Sequence, residues 1–261
     1  MNLDGPATRL AVDLSDLSIR FGDLVAVSKV SLPIRQGEFV SIVGPSGCGK
    51  TTILNLIAGL LPTSVASGAF LVNGKLPSSG NRDISYMLAR DALCPWRTTL
   101  ANAELGCEIR GVPAAERRAI ARDLLNKVGL SDFESAYPKA LSQGMRQRTA
   151  LARTFAMDAP ILLMDEPFGA LDAQTKLQLE DVLLSLWQST HRTVVFITHD
   201  LSEAVSMSDR VIVLSARPGR IAADVEVNLG RPRSVRALQK EPAYHALYAD
   251  IWTRLEQGIP A

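Results

Sequence analysis

Apolar residues follow two rhythms along this chain. Short β-branched runs broken by turn residues fill residues 10 to 43, with Val40-Ser41-Ile42-Val43 ending at Gly44, and Phe70-Leu71-Val72 ends at Asn73-Gly74. These predict strands. Over residues 50 to 61 the spacing turns helical and stops against Gly59 and Pro62, so a strand, a glycine-rich turn and a helix follow in succession. Pro113-Ala114-Ala115-Glu116 predicts an Ala- and Arg-rich helix reaching Val128, with Pro in its first turn and Gly129 just past its end. Another helix is expected from near Ser142 through Met145, Ala152 and Phe155. Ile161-Leu162-Leu163-Met164 and Val194-Val195-Phe196-Ile197 are apolar without interruption, the pattern of strands buried on both faces. Between them Ala173 to Thr190 predicts a helix offering Leu177, Leu183, Leu186 and Trp187 to the sheet. Strands alternating with helices imply a doubly wound α/β core around a mixed, mainly parallel sheet.

This order divides the chain into an α/β core at residues 1–88 and 159–230, an inserted all-helical subdomain at 89–158, and a helical tail at 231–261. The tail carries Arg231, Arg233, Arg236 and Lys240, expected on a solvated surface, before an amphipathic stretch to Leu255. Composition agrees with a globular reading: 261 residues, 47% apolar, exclude disorder as the main theme. Lys and Arg number 28 against 27 acids, which lacks the cationic excess of a nucleic-acid partner. The most apolar stretch, residues 53 to 61, is interrupted by Asn55 and stopped by Pro62, short of the roughly 20 residues that span a bilayer. Met1-Asn2-Leu3-Asp4-Gly5-Pro6 has neither the basic start nor the apolar run of a secretory signal, so a cytosolic chain is expected. Cys48, Cys94 and Cys107 have no disulfide or zinc spacing.

Gly44-Pro45-Ser46-Gly47-Cys48-Gly49-Lys50-Thr51 fits the phosphate-loop pattern GxxxxGK[ST], directly after a predicted strand and before a predicted helix. Glycines let backbone N–H groups turn inward around phosphates, and the helix N-terminus adds partial positive charge. Lys50 is expected to reach the β and γ phosphates and Thr51 to ligate Mg²⁺; Thr52, just past the motif, is a further candidate nucleotide-binding residue. Cys48, near a helix N-terminus and Lys50, is expected to have a lowered thiol pKa.

The run through Met164 ends in Asp165-Glu166, which places two acids at the carboxyl edge of the sheet, where α/β folds bind ligands. Asp165 suits the Mg²⁺ shell and Glu166 the activation of an attacking water. His199, after Thr198 at the end of the later strand, is expected at the same edge.

Leu141-Ser142-Gln143-Gly144-Met145 resembles the LSGGQ signature, and Gly169-Ala170-Leu171-Asp172 resembles the loop that follows the acidic pair in the same proteins. With the phosphate loop and His199, these residues resemble the nucleotide-binding subunit of an ATP-binding cassette transporter over roughly residues 10 to 230. The resemblance implies that Phe21 stacks on adenine, that Ser142, Gly144 and Asp172 join the nucleotide site, and that Lys50, Glu166 and His199 act in hydrolysis of ATP with Mg²⁺. It also implies a head-to-tail pair, homodimer or heterodimer, since one chain holds one phosphate loop and one signature. Integral membrane permease subunits and, indirectly, a solute-binding protein follow as partners, with the chain on the cytoplasmic face of the inner membrane. Pro95-Trp96, Phe168 through Thr175, and Ser215-Ala216-Arg217-Pro218-Gly219-Arg220 resemble the nitrate/sulfonate/taurine importer group more narrowly.

Two departures stand out. The family's usual Gln after the strand around residue 86 is Ala89 here, which cannot ligate Mg²⁺ or orient water, so slower hydrolysis or looser coupling is expected. Gln143 and Met145 replace the usual Gly and Gln of the signature, while Ser142 and Gly144 remain. A soluble cassette ATPase in DNA repair or protein assembly, or a degenerate regulatory cassette, are the alternatives.

Overall fold

The computed structural model describes residues 9–169 and 171–258. Ala170 of the loop after the acidic pair and the N-terminal residues read for a leader lie outside them. Two sheets organise the described residues. β1 (Leu10–Phe21) and β2 (Leu24–Arg35) form a long antiparallel hairpin, and β4 (Ala66–Val72) pairs antiparallel with β1. The other sheet contains β3 (Phe39–Val43), β5 (Ile84–Met87), β6 (Ile161–Asp165), β7 (Thr193–Ile197), β8 (Arg210–Leu214) and β9 (Ile221–Glu226). Its order is β5-β6-β7-β3-β8-β9, parallel throughout except for antiparallel β9.

Every residue of β3, β6, β7 and β8 is buried, which explains the absence of polar alternation: helices or a second sheet cover both faces. α1 (Lys50–Ile57) lies between the two sheets, burying Ile53, Leu54, Leu56 and Ile57 among residues of β1, β2 and the main sheet. The opposite face is covered by α4 (Gln143–Ala156) and α5 (Ala173–Thr190), with α2 (Thr99–Ile109) and α3 (Ala114–Lys127) packed outside α4. Phe39 meets Trp187 edge-on at 5.5 Å there, a geometry that suits the ring quadrupoles. α6 (Leu201–Met207), α7 (Val235–Leu238) and α8 (Pro242–Gln257) close the end beside β8 and β9. Among the described residues no helix is long and apolar enough to cross a membrane.

Sequence and structure differ at several ends. α1 stops at Ile57 rather than Leu61, and Pro113 is the N-cap of α3 rather than a residue of its first turn. The tail departs more. Arg236 and Lys240 are exposed, but Arg231 donates to Asp209 at 2.6 and 2.8 Å and lies 4.1 Å above the Trp187 ring. Arg233 is buried, donating to the carbonyls of Ser208 (2.6 Å), Val227 (3.1 Å) and Leu229 (2.7 Å). Burial lowers its pKa to about 10, so it stays charged at neutral pH. Both cations are therefore fasteners: the Arg233 fork satisfies several carbonyls at once, and Arg231 holds Asp209 and covers Trp187.

Candidate nucleotide site

β3 runs into the phosphate loop and α1 leaves it, so the sheet edge and helix N-terminus meet where the motif requires. Gly49 has φ +106, and a Cβ there would come within 2.6 Å of Val27 Cγ2, so only glycine fits beneath β2. Lys50 is buried, and its ammonium donates to the carbonyls of Gly44 (2.8 Å) and Pro45 (3.1 Å) across the loop. Both partners are neutral carbonyls, so these contacts pair the ammonium with no opposing charge. Thr51 Oγ1 donates to Asp165 Oδ1 at 3.2 Å, joining the start of α1 to the end of β6. Burial raises the Asp165 pKa, opposed by the Thr51 hydrogen bond.

Cys48 corrects the expectation from sequence. It is buried, and desolvation raises its pKa by more than nearby Lys50 lowers it. It sits in the loop but belongs to the core cluster of β1, β2, α1 and the main sheet.

Glu166 follows β6 with φ +45, its N–H donating to Ile197 O at 2.9 Å, so the residue turns across the end of β7. Its Oε2 lies 3.1 Å from Nδ1 of exposed His199. An ionised carboxylate only accepts, so the imidazole donates in this contact. Phe21, 41% exposed at the tip of the β1–β2 hairpin, shares a cleft of about 280 Å³ with Ser46, Gly47, Gly49, Lys50, Thr51, Thr52 and Glu166.

Ser142, Gly144 and Asp172 are elsewhere. They line a second cleft of about 580 Å³ with Gln143, Met145 and Thr175, and among the described residues the two clefts have none in common. Ser142 caps α4, its Oγ accepting from Met145 N at 3.3 Å, while Asp172 caps α5, accepting from Thr175 N at 3.0 Å. The hydrogen bonds to Asp172 hold its carboxyl below the usual range. One chain thus brings together the residues around the phosphate loop and keeps the signature apart from them.

Sequence reading missed two groups. Arg217 lines the first cleft, its Nε and Nη2 each 3.2 Å from Gly47 O. Lys176, on α5, pairs with Asp200 and Glu203 behind His199. Two acids within four residues of His199 were the available signal for the second group. The first had only a resemblance motif, with no chemistry attached.

The family model described as ABC transporter matches residues 27–169. An uncharacterized ABC transporter ATP-binding protein of Methanocaldococcus jannaschii is 48% identical over 215 residues, covering 82% of this chain and 79% of that protein. A taurine import ATP-binding protein of Yersinia pestis is 37% identical over 251 residues, 94% of this chain and 97% of that one. Among solved structures, a dimeric post-hydrolysis ATP-binding cassette bound to ADP and phosphate matches with TM-score 0.71 and 31% identity, over 84% of this chain and all of that chain. A cassette from Clostridium perfringens, part of an ABC transporter complex, has the same fold with TM-score 0.74 at 20% identity, over 95% and 97% of the two chains. A family match over more than half the chain, with relatives aligned along most of their length, identifies this α/β phosphate-loop protein as a member of the ABC transporter family, its ATP-binding ATPase subunit.

Proposed function

We propose that this chain drives uptake of a small solute, of the nitrate, sulfonate or taurine kind, by closing and reopening with a second ATPase subunit beneath separate membrane permeases. The observation that carries the hydrolytic part is the Glu166–His199 contact at 3.1 Å, on the rim of the cleft that holds Lys50 and Thr51. Lys50 neutralises charge on the β and γ phosphates, and Phe21 stacks on the base. Thr51 and Asp165, already within hydrogen-bond reach, would hold Mg²⁺, and the hydroxyl–carboxylate pair fits a hard cation. When bound, the ion supplies charge neutralisation at the phosphates. Glu166 takes a proton from water as the water oxygen attacks the γ-phosphorus, and the bond to the ADP oxygen breaks. His199, oriented by Glu166, reaches the γ-phosphate side.

The separation of the clefts supports a head-to-tail pair. Ser142 and Gly144 of one subunit would close over the phosphate loop of the other, and α4 offers its N-terminus to the phosphate. Loss of the γ-phosphate removes that bridge. Trp96, 75% exposed beside Pro95, supports docking of a permease at the loop after β5. Arg153 donates to the carbonyls of Asp91 and Ala92 in that loop, each at 2.8 Å, and Arg146 pairs with Asp91 at 2.9 Å. Motion at the loop therefore reaches the signature helix α4. The 37% identity to a taurine import protein supports the importing direction and the solute class. Such a subunit works at the cytoplasmic face of the inner membrane, with a solute-binding protein delivering cargo to the permease.

The test is to tag the Glu166→Gln chain in its native cell and solubilise membranes with ATP and Mg²⁺. Stoichiometric recovery of a multispanning protein is expected. Recovery only from the soluble fraction would overturn the transport reading in favour of a soluble cassette.

A further inference from the structure

The loop between β8 and β9, residues 215–220, carries the motif Ser215-Ala216-Arg217-Pro218-Gly219-Arg220, for which the hydrolytic steps have no use. We infer that Arg217 is a nucleotide-positioning residue that, with Gly219, sets the spacing between the phosphate loop and the hairpin bearing Phe21. The inference rests on the reading that ATP lies in this cleft with its base at Phe21 and its phosphates at the loop.

Gly219 joins this segment to β2. Its N–H donates to Ala26 O at 3.0 Å, and Ser28 N–H donates to Gly219 O at 2.9 Å, a parallel bridge beside Val27. On its other side Gly219 lies so close to the phosphate loop that a Cβ would collide with the Cys48 carbonyl. Two residues earlier, the Arg217 guanidinium directs Nε and Nη2 at the Gly47 carbonyl, both at 3.2 Å. One short loop therefore touches β2 and the phosphate loop together. β2 in turn is paired with β1 up to Phe21, through Ile19 with Val27, Arg20 with Val25 and Phe21 with Leu24. Position is thereby passed from the Gly47 carbonyl through Arg217 and Gly219 to the aromatic ring.

Charge and orientation act together here. Arg217 is exposed in the cleft and adds a second cation to that of Lys50, favouring an anionic ligand. Its two-donor grip on one carbonyl fixes a loop peptide before nucleotide arrives, so less ordering remains to be done on binding.

The experiment compares the native chain with Arg217→Ala and Arg217→Lys, measuring ATP and tripolyphosphate dissociation constants, the KM and kcat for ATP, and melting without nucleotide. Lys50→Ala serves as the non-binding control. Arg217→Ala is expected to weaken ATP about tenfold, through KM more than kcat, and to weaken tripolyphosphate by a smaller factor, because that probe has no base to align. Nucleotide-free melting should stay close to native, and Arg217→Lys should recover part of the ATP affinity. Unchanged ATP affinity in Arg217→Ala overturns the inference, as does an equal loss for both probes. Misfolding of Arg217→Ala moves the test to Arg217→Lys, for which the same unequal loss is required. If the native chain binds tripolyphosphate but gains nothing from the base of ATP, or binds neither, the underlying reading of the cleft fails instead.

Discussion

Lys176 and Glu203 meet at 2.6 Å across α5 and α6, and this pair links the helix capped by Asp172 to the turn that carries His199. Lys176 also reaches Asp200 at 2.6 Å, while Glu203 accepts from Thr198 Oγ1 at 2.5 Å. Burial works against the Lys176 charge, but the two carboxylates outweigh it and raise its pKa above the ordinary range.

Lys176→Met should therefore destabilise the chain by about 3–5 kcal/mol, because buried Glu203 loses its cation. Lys176→Arg should recover most of the loss. Chemical denaturation checks both, and a Lys176→Met chain as stable as the native one would remove the pair from any structural account.

Glu180, on α5 beside this cluster, is buried, and one of its carboxylate oxygens has no hydrogen-bond partner among the described residues. Desolvation pushes its pKa from 4.5 up to about 8; Glu203, Asp200 and Asp181 push the same way, and Lys176 opposes. Below 4.5 folded and unfolded chains both hold the proton, whereas between 4.5 and 8 only the folded chain does. Unfolding in that window releases a proton, so this group's contribution falls as pH rises, by up to about 1.4 kcal/mol per pH unit. Glu180→Gln should remove that slope and be the more stable chain at pH 8. Parallel stability curves for the two chains from pH 5 to 8 would contradict the shift.

Thiol chemistry distinguishes the three cysteines. Cys48 and Cys107 are buried with raised pKa values, mainly through desolvation, and Cys94 is half-buried. An alkylating reagent at neutral pH should label Cys94 at least about ten times faster than Cys48, and denaturant should abolish the difference. Mass spectrometry of peptides sampled over time reads this directly; Cys48 reacting first would contradict its burial.

Ala89 follows β5 by two residues, and β5 lies beside β6 with Met87 opposite Met164, next to Asp165. A glutamine there would bring an amide toward the proposed Mg²⁺ position. Ala89→Gln should raise the ATPase rate several-fold, a modest gain on the scale of single positioned groups, about 10²-fold or more. An unchanged rate and Mg²⁺ dependence would show that the alanine costs nothing.

What could be read in advance was local. The phosphate loop, the acids ending β6 and the bounds of α5 each lie within a few residues and follow spacing rules, so the chain itself exhibits them. Arg217 and Gly47 are 170 positions apart, and no periodicity links them. Within the all-helical stretch 89–158 the bounds of α2 are not legible, because Thr99–Ile109 mixes Asn102, Glu104 and Gly106 into its buried side, which blurs the apolar stripe. The motif shows only the neighbours of Cys48 along the chain, whereas its burial is in a core cluster assembled from β1, β2, α1 and the main sheet. Arg231 and Arg233 looked like surface charges because carbonyl partners leave no mark in a sequence.

Those two arginines make the end of the chain a keystone rather than an appendage. Cutting the polypeptide after Gly230 would strip the Trp187 ring of its cation and leave the carbonyls of Ser208, just before β8, and of Val227 and Leu229, just after β9, without their guanidinium donors. A minimal version of this protein must therefore extend past Arg233, and a purification handle belongs beyond Gln257, where α8 has already ended.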